Sequence, residues 1–344
     1  MGEDCTEFRL VRAACGDDTV HEWLTSWLAP ERIEPREYID ALEGVGDGWR
    51  ATAPKDRAGV AAALAEADAL LVEREPVGEE LLRRASPRLR TVVRFGTSTS
   101  NVDLDACARL GIAVRPVARP SSASVAEHAF MLLLVVARRF AGAGRVLPDD
   151  EPPPPSAPSS ESGGHPRTVF NWKGVQTPLL LAGRRLGVLG AGEAARAMMR
   201  RARGFDMEVG YWSRTRDEQL ERELGVHWLE LAELPRWADA VSVHLAYAPE
   251  LEHVVGSDFL DALGPEGILV NTARGLLVDV AALESALRDG RLGGAGLDVF
   301  PHEPLVPPGL LELPNVALTP HIAAGGRWIL ALDVRAVFAA LNAT

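Results

Sequence analysis

The sequence predicts an α/β protein built from two doubly wound parallel-sheet domains. Three observations carry this reading. Short apolar runs alternate with helical patterns along most of the chain. Its 344 residues exceed one ordinary domain and suit two. A Gly-x-Gly turn, Gly190 and Gly192, opens the second series of runs, with a strand pattern before it and a helical pattern after.

Taken in order, "FRLVRAA" (8–14), "ALLV" (69–72), "LRTVVRF" (89–95) and "IAVR" (112–115) read as strands. "VAAALAEA" (60–67) and "GEELLRRA" (78–85) read as helices between them. This alternation implies a parallel sheet covered on both faces. A long helix is expected from about Ser122 to Arg145, with serines as N-cap candidates and Glu127 in an early turn. Its most apolar run, "FMLLLVVA" (130–137), stops at Arg138 and Arg139. No apolar stretch reaches the roughly 18 residues of a membrane span, so a buried helix is expected. Residues 147–167, "LPDDEPPPPSAPSSESGGHPR", offer little to bury and read as a mobile surface insertion.

Six further strands are then expected: "RLGVLG" (185–190), "MEVGYW" (207–212), "AVSVHLA" (240–246), "GILVNT" (267–272), "GAGLDVF" (294–300) and "NVALTP" (315–320). Six strands opened by a glycine loop fit a Rossmann-type nucleotide domain, placed at 121–323. The remainder, 1–120 completed by a C-terminal helix over 324–344, is expected to form a flavodoxin-like substrate domain across a cleft from it.

Composition narrows the function. The hydrophobic fraction of 47% builds real cores. A formal net charge of -12 argues against nucleic acid, although local arginines and helix N-termini still allow a small anionic ligand. Cys5, Cys15 and Cys107 are odd in number and contain no C-x-x-C pair, so neither a disulfide framework nor a metal site is expected. The start, "MGEDCTEF", lacks the apolar core of a secretory signal, and a soluble cytoplasmic protein is expected.

In the loop "LGVLGAGEAAR" (186–196), Gly190 allows the tight turn and Gly192 lets a pyrophosphate approach the backbone. Glu193 and Ala194 open the helix whose free N–H groups would face that anion. Ala195 replaces the usual third glycine and adds one methyl to the helix–strand contact. By itself the loop also fits a strand–helix turn without a ligand. At the end of the next strand, Ser213, Arg214, Thr215 and Arg216 stand where an acid would hold the adenosine ribose. With no carboxylate to repel a 2′-phosphate, and arginines to bind it, NADP(H) is expected over NAD(H). Ordinary surface charges are the other reading of these arginines.

Three downstream segments are specific: "LVNTARGLLVD" (269–279), "GLDVFPHEP" (296–304) and "LTPHIA" (318–323). With the glycine loop, and with "VRFGTSTSNVDLDACARLGIAV" (93–114) and "SVAEHAFMLLLVVARR" (124–139), they resemble the D-isomer-specific 2-hydroxyacid dehydrogenase family. That family includes phosphoglycerate, glycerate and glyoxylate/hydroxypyruvate enzymes. The resemblance implies that Arg274 orients the substrate, His321 transfers the proton and Glu303 partners His321. It places His244, Ala246, Thr272, Ala273 and Asp298 along the cofactor, Asp298 at the nicotinamide carboxamide. It also makes a homodimer, built through the helix from 122, the expected assembly.

The residue types suit the chemistry. Reducing a 2-keto acid to a D-2-hydroxy acid adds a hydride to the carbonyl carbon and a proton to its oxygen. Histidine donates protons near neutral pH, a carboxylate on its other nitrogen fixes the tautomer, and arginine grips carboxylate and keto oxygen together. His302, beside Glu303, has no role in the family pattern.

The chain departs from the family on the substrate side. The loop that usually reads G-V-G-x-D-N is here "GTSTSN" (96–101), with Thr97 and Ser98 as candidate substrate contacts and Ser100 in place of an aspartate. "VARPSS" (117–122) and "HLAYAPE" (244–250) are altered too, and "VEREPV" (72–77) places Arg74 near the expected substrate mouth. Two other readings stay open: a non-catalytic, nucleotide-sensing corepressor of the same fold, like the C-terminal binding proteins, and a dehydrogenase of another small anion such as formate or phosphite. Formate-type members replace the carboxylate, so Glu303 favours hydroxy-acid chemistry.

Overall fold

The computed structural model describes residues 6–52, 57–73, 75–85, 87–140 and 179–343. The chain divides into two compact units, one of residues 1–125 with 324–344 and the other of residues 126–323.

The first unit holds a parallel sheet of β1 (Ala69–Val72), β2 (Thr91–Phe95) and β3 (Ala113–Val117), in that spatial order. Alternation along β2 sorts its side chains to two faces. Val93 and Phe95 join Leu10, Leu24, Tyr38 and the C-terminal helix Arg327–Asn342, through Val334 and Phe338. Val92 joins Val72, Leu82, Cys107 and Ile112 on the opposite side. Asp103 starts the helix Leu104–Arg109 by accepting the Ala106 amide at 2.8 Å, the ordinary N-cap bond.

One expected strand is a helix. Residues Thr6–Ala14 are helical, with Leu10, Val11 and Ala13 buried. Apolar positions 10, 11 and 14 fall i, i+1, i+4, a spacing that lines one face of a helix and would scatter across both faces of a strand. The sheet of this unit therefore has three described strands where the sequence predicts four.

The second unit is a seven-stranded parallel sheet. Its strands are β4 (Arg185–Leu189), β5 (Glu208–Trp212), β6 (His227–Trp228), β7 (Ala240–Val243), β8 (Ile268–Asn271), β9 (Gly294–Leu297) and β10 (Val316–Leu318). They lie in the spatial order β10-β9-β8-β7-β4-β5-β6. All four residues of β7, of β8 and of β9 are buried, as a sheet covered on both faces requires. The two-residue edge strand β6 carries no periodicity that a sequence reading could detect. From β4 the chain runs outward through β5 and β6, then returns to the other side of β4 as β7. This reversal is the switch point where such sheets bind ligands, just beyond the carboxyl ends of β4 and β7.

The long helix spans Pro120–Ala137, shorter than expected, and Arg139 just beyond it has φ +51°. Ala126, Ala129, Leu132 and Leu133 are buried in the core with Leu186, Val188 and Met198. Although the helix is long and apolar enough to cross a membrane, its buried face makes it a core helix of this unit. Residues 147–167, and residues 141–145 of the expected helix, lie outside the described residues.

Candidate active site

Between β4 and the helix Glu193–Gly204, Gly190 takes φ +118°. A Cβ there would stand 2.6 Å from the His244 carbonyl oxygen, so only glycine lets the ends of β4 and β7 approach. A Cβ on Gly192 would meet nothing within 4 Å, which leaves room above the turn. No side chain caps this helix, so its first N–H groups and positive dipole end open to that room. Ala195 is fully buried on the helix face that packs on the sheet, and its extra methyl is accommodated there.

Two buried polar atoms at neighbouring strand ends have no hydrogen-bond partner among the described residues: His244 Nδ1 and Thr272 Oγ1. The other His244 nitrogen, Nε2, lies 2.9 Å from Ser242 Oγ, and burial pushes the imidazole down to about 4, so it is neutral at pH 7. Orphaned polar groups beside a glycine turn and an uncapped helix fit a dinucleotide. Ala273 is half-buried on the turn after β8, and Ala246 is exposed after β7.

The adenosine end differs in detail from the sequence reading. Ser213 Oγ donates to the Thr215 carbonyl at 2.7 Å, so its proton is committed within its own turn and is not aimed outward. Arg216 is held by Glu221 through two bonds of 2.8 Å. The expected arginine fork thus reduces to Arg214, 76% exposed and 3.8 Å from Glu250. Glu250 follows β7, and no pattern on β5 could have revealed it.

The three residues singled out for proton transfer lie on the turns after β8, β9 and β10. Asn271 ends β8 and folds the first turn: its amide donates to the Arg274 carbonyl at 2.9 Å, and its Oδ1 accepts from Ala273 N at 3.0 Å. Gly275 follows Arg274, and a Cβ on it would stand 2.0 Å from the Phe300 carbonyl carbon. That close approach brings the Arg274 turn against the segment leading to Glu303. Glu303 Oε1 accepts the Phe300 amide at 2.9 Å, and Oε2 lies 2.6 Å from His321 Nδ1. Burial pushes the Glu303 carboxyl up, but the hydrogen bonds of His321 and Phe300 and the charges of His321 and Arg274 outweigh it. The group is held below the usual carboxylate value. His321 Nε2 is thereby the nitrogen left for another partner. Arg274 is exposed and donates to the Ala273 carbonyl at 2.6 Å. His302 is exposed and only closes the turn to Leu305.

Asp298 is fully buried. Its Oδ1 accepts Thr319 Oγ1 at 2.6 Å and Ile322 N at 2.9 Å, and its Oδ2 accepts Ala323 N at 2.8 Å. The carboxylate expected at the nicotinamide therefore binds the His321 segment. Asn271 and this use of Asp298 escaped the sequence reading; the only signal for Asn271 was a polar residue ending an otherwise apolar strand.

In the first unit, the loop after β2 starts at Gly96 with φ +120° and pairs back to Val117. Asn101 Oδ1 accepts Arg94 Nε at 2.8 Å and its amide donates to the Glu75 carbonyl at 2.7 Å. Thr97 is exposed, as is Ser98, whose Oγ lies 3.1 Å from Ser100 Oγ. Arg74 lies outside the described residues.

Comparison with known proteins agrees with this geometry. Residues 167–323 match the family model for the NAD-binding domain of D-isomer-specific 2-hydroxyacid dehydrogenases. A glyoxylate reductase of Thermococcus litoralis is 35% identical over 260 residues, 75% of each chain. Among solved structures, the PH0520 protein of Pyrococcus horikoshii superposes with a TM-score of 0.63 at 26% identity, covering 88% of this chain and 87% of that one. An NADPH-dependent glyoxylate/hydroxypyruvate reductase of Sinorhizobium meliloti, solved with NADP and malonate, gives a TM-score of 0.55 at 30% identity over 91% of each chain. The switch-point glycine turn, the paired His321 and Glu303, and these matches together place the chain in the D-isomer-specific 2-hydroxyacid dehydrogenase family, as an NAD(P)-dependent oxidoreductase.

Proposed function

We propose that the protein reduces a small 2-keto acid of the glyoxylate or hydroxypyruvate class to its D-2-hydroxy acid, with NADPH preferred over NADH. The 2.6 Å bond between His321 Nδ1 and Glu303 is the observation that carries this reading. It directs Nε2 outward as the proton-bearing atom, and the anionic Glu303 stabilises the imidazolium before transfer. The Arg274 guanidinium grips the substrate carboxylate and keto oxygen and polarises the carbonyl. When bound, the nicotinamide supplies the hydride. The Gly190–Gly192 turn, the N-terminus of the helix Glu193–Gly204, His244 and Thr272 hold the dinucleotide. Arg214 takes the 2′-phosphate, and the NADPH-dependent relative supports that preference. The loop over residues 96–101 is proposed, on its hydroxyls and backbone amides alone, as a carboxylate-binding element.

A homodimer is also proposed. Met131, 42% exposed, and Phe205, 45% exposed, leave apolar surface on and beside the long helix for a second copy to cover.

The test is NADPH oxidation against 2-keto acids of graded size and charge. Turnover of glyoxylate or hydroxypyruvate is expected. Activity confined to formate or phosphite oxidation, or none with any keto acid, would overturn the proposal.

A further inference from the structure

A chain of hydrogen bonds runs from the core helix to the segment that carries His321. His321 is held at φ +55°, a left-handed conformation that a non-glycine residue keeps only where its surroundings hold it. Asp298 secures it from both its groups. The Asp298 carbonyl accepts the His321 amide at 2.8 Å, and its carboxylate accepts the amides of Ile322 and Ala323 at 2.9 and 2.8 Å. The same carboxylate takes the Thr319 hydroxyl at 2.6 Å. Thr319 Oγ1 in turn lies 2.9 Å from Nε2 of His128, on the helix Pro120–Ala137. The direction of these bonds follows from their partners. An ionised carboxylate only accepts, so the single Thr319 hydroxyl proton goes to Asp298. Thr319 Oγ1 must then accept, which makes His128 Nε2 the N–H donor. His128 Nε2 also stands 3.5 Å from Asp298 Oδ1, and its side chain is only 13% exposed.

We propose that His128 is a positioning residue for proton transfer: it donates through Thr319 to Asp298 and so fixes the backbone conformation that aims His321. This rests on His321 being the proton donor. Catalysis tolerates little misplacement, since about 1 Å can cost roughly a hundredfold in rate. A loosened segment should therefore lower kcat before it alters cofactor binding.

The experiment compares His128→Ala, His128→Gln, Thr319→Val and the Ala/Val double variant. It reads kcat, substrate KM and the dissociation constant of NADPH by calorimetry. His128→Ala and Thr319→Val should each lower kcat about tenfold, with the NADPH dissociation constant within about twofold of wild type. The double variant should lose no more than the worse single one, since both break the same chain. Gln, whose amide N–H reaches where Nε2 stands, should recover most of kcat. Unchanged kcat in His128→Ala, a Gln variant as defective as Ala, or a parallel loss of NADPH binding would each overturn the proposal. His321→Ala, assayed alongside, separates the two readings. If it retains full turnover, the assignment of His321 fails; if it is dead while His128→Ala is normal, only the positioning role fails.

Discussion

At the scale of single residues, the site turns on which nitrogen of His321 is occupied. Glu303 occupies Nδ1, and in the proposed reaction Nε2 is the atom that would carry the transferred proton. Replacing His321 by Ala should lower kcat by roughly 100- to 10,000-fold, the ordinary range for a lost general acid. Calorimetry should show unchanged NADPH binding, because the glycine turn and helix N-terminus are untouched. The three residues of this group were legible in the sequence because each sits in a short ordered motif. The Asp298 bonds were not legible, because they join backbone amides whose positions depend on the left-handed turn at His321. The commitment of Ser213 to Thr215 was hidden for the same reason: a hydroxyl's partner is set by local backbone geometry that its identity does not reveal.

At the scale of elements, the strands of the parallel sheets were readable wherever a run was apolar throughout, as in β7 and β8. The segment Thr6–Ala14 misled because a short apolar run reads as a strand by its composition, while the i, i+1, i+4 spacing of Leu10, Val11 and Ala14 fits the helix it forms. The turn after β8 makes a sharp demand. Gly275→Ala would press a methyl into the Phe300–Pro301 backbone, where neither partner is a flexible side chain. Forcing the backbones apart should cost about 1–3 kcal/mol of stability and separate Arg274 from Glu303. A lower denaturation midpoint together with a kcat loss of about a hundredfold is expected; a folded variant with normal kcat would show that the approach is not needed. The end of β7 makes a demand of another kind. His244 is held down to about 4 by burial, whereas in the unfolded chain it titrates near 6.5. Between those values the unfolded state binds the extra proton, so stability must fall as pH falls. Each pH unit inside the window costs up to about 1.4 kcal/mol. Urea unfolding of the cofactor-free protein from pH 7 to 4.5 should therefore show a steeper loss for wild type than for His244→Gln, and equal slopes would contradict a buried neutral imidazole.

At the scale of the whole molecule, two fields act on an incoming cofactor. The formal net charge of -12 repels every anion that approaches, and NADPH and NADH share most of that penalty. In the proposed reading Arg214 would act only on the 2′-phosphate that distinguishes them, opposed by Glu250 at 3.8 Å. The ratio of the two affinities therefore cancels the global charge to first order and isolates the local pair. Arg214 is 76% exposed, so its attraction for the phosphate should be well screened once the Debye length drops below about 10 Å. We expect the NADPH-to-NADH affinity ratio, measured by calorimetry, to fall as salt rises from about 20 to 300 mM. Arg214→Ala should reduce the ratio and flatten its salt dependence. Glu250→Gln should raise the ratio, because it removes a competing carboxylate and leaves the arginine to the phosphate. A ratio below one in wild type, or one that ignores both substitutions, would mean that Arg214 serves the surface and that selectivity lies with groups elsewhere on the adenosine side. The sequence could suggest this outcome only halfway: it showed the missing acid at the end of β5, while the acid that stands in its neighbourhood arrives from the turn after β7, a juxtaposition that only the strand order creates.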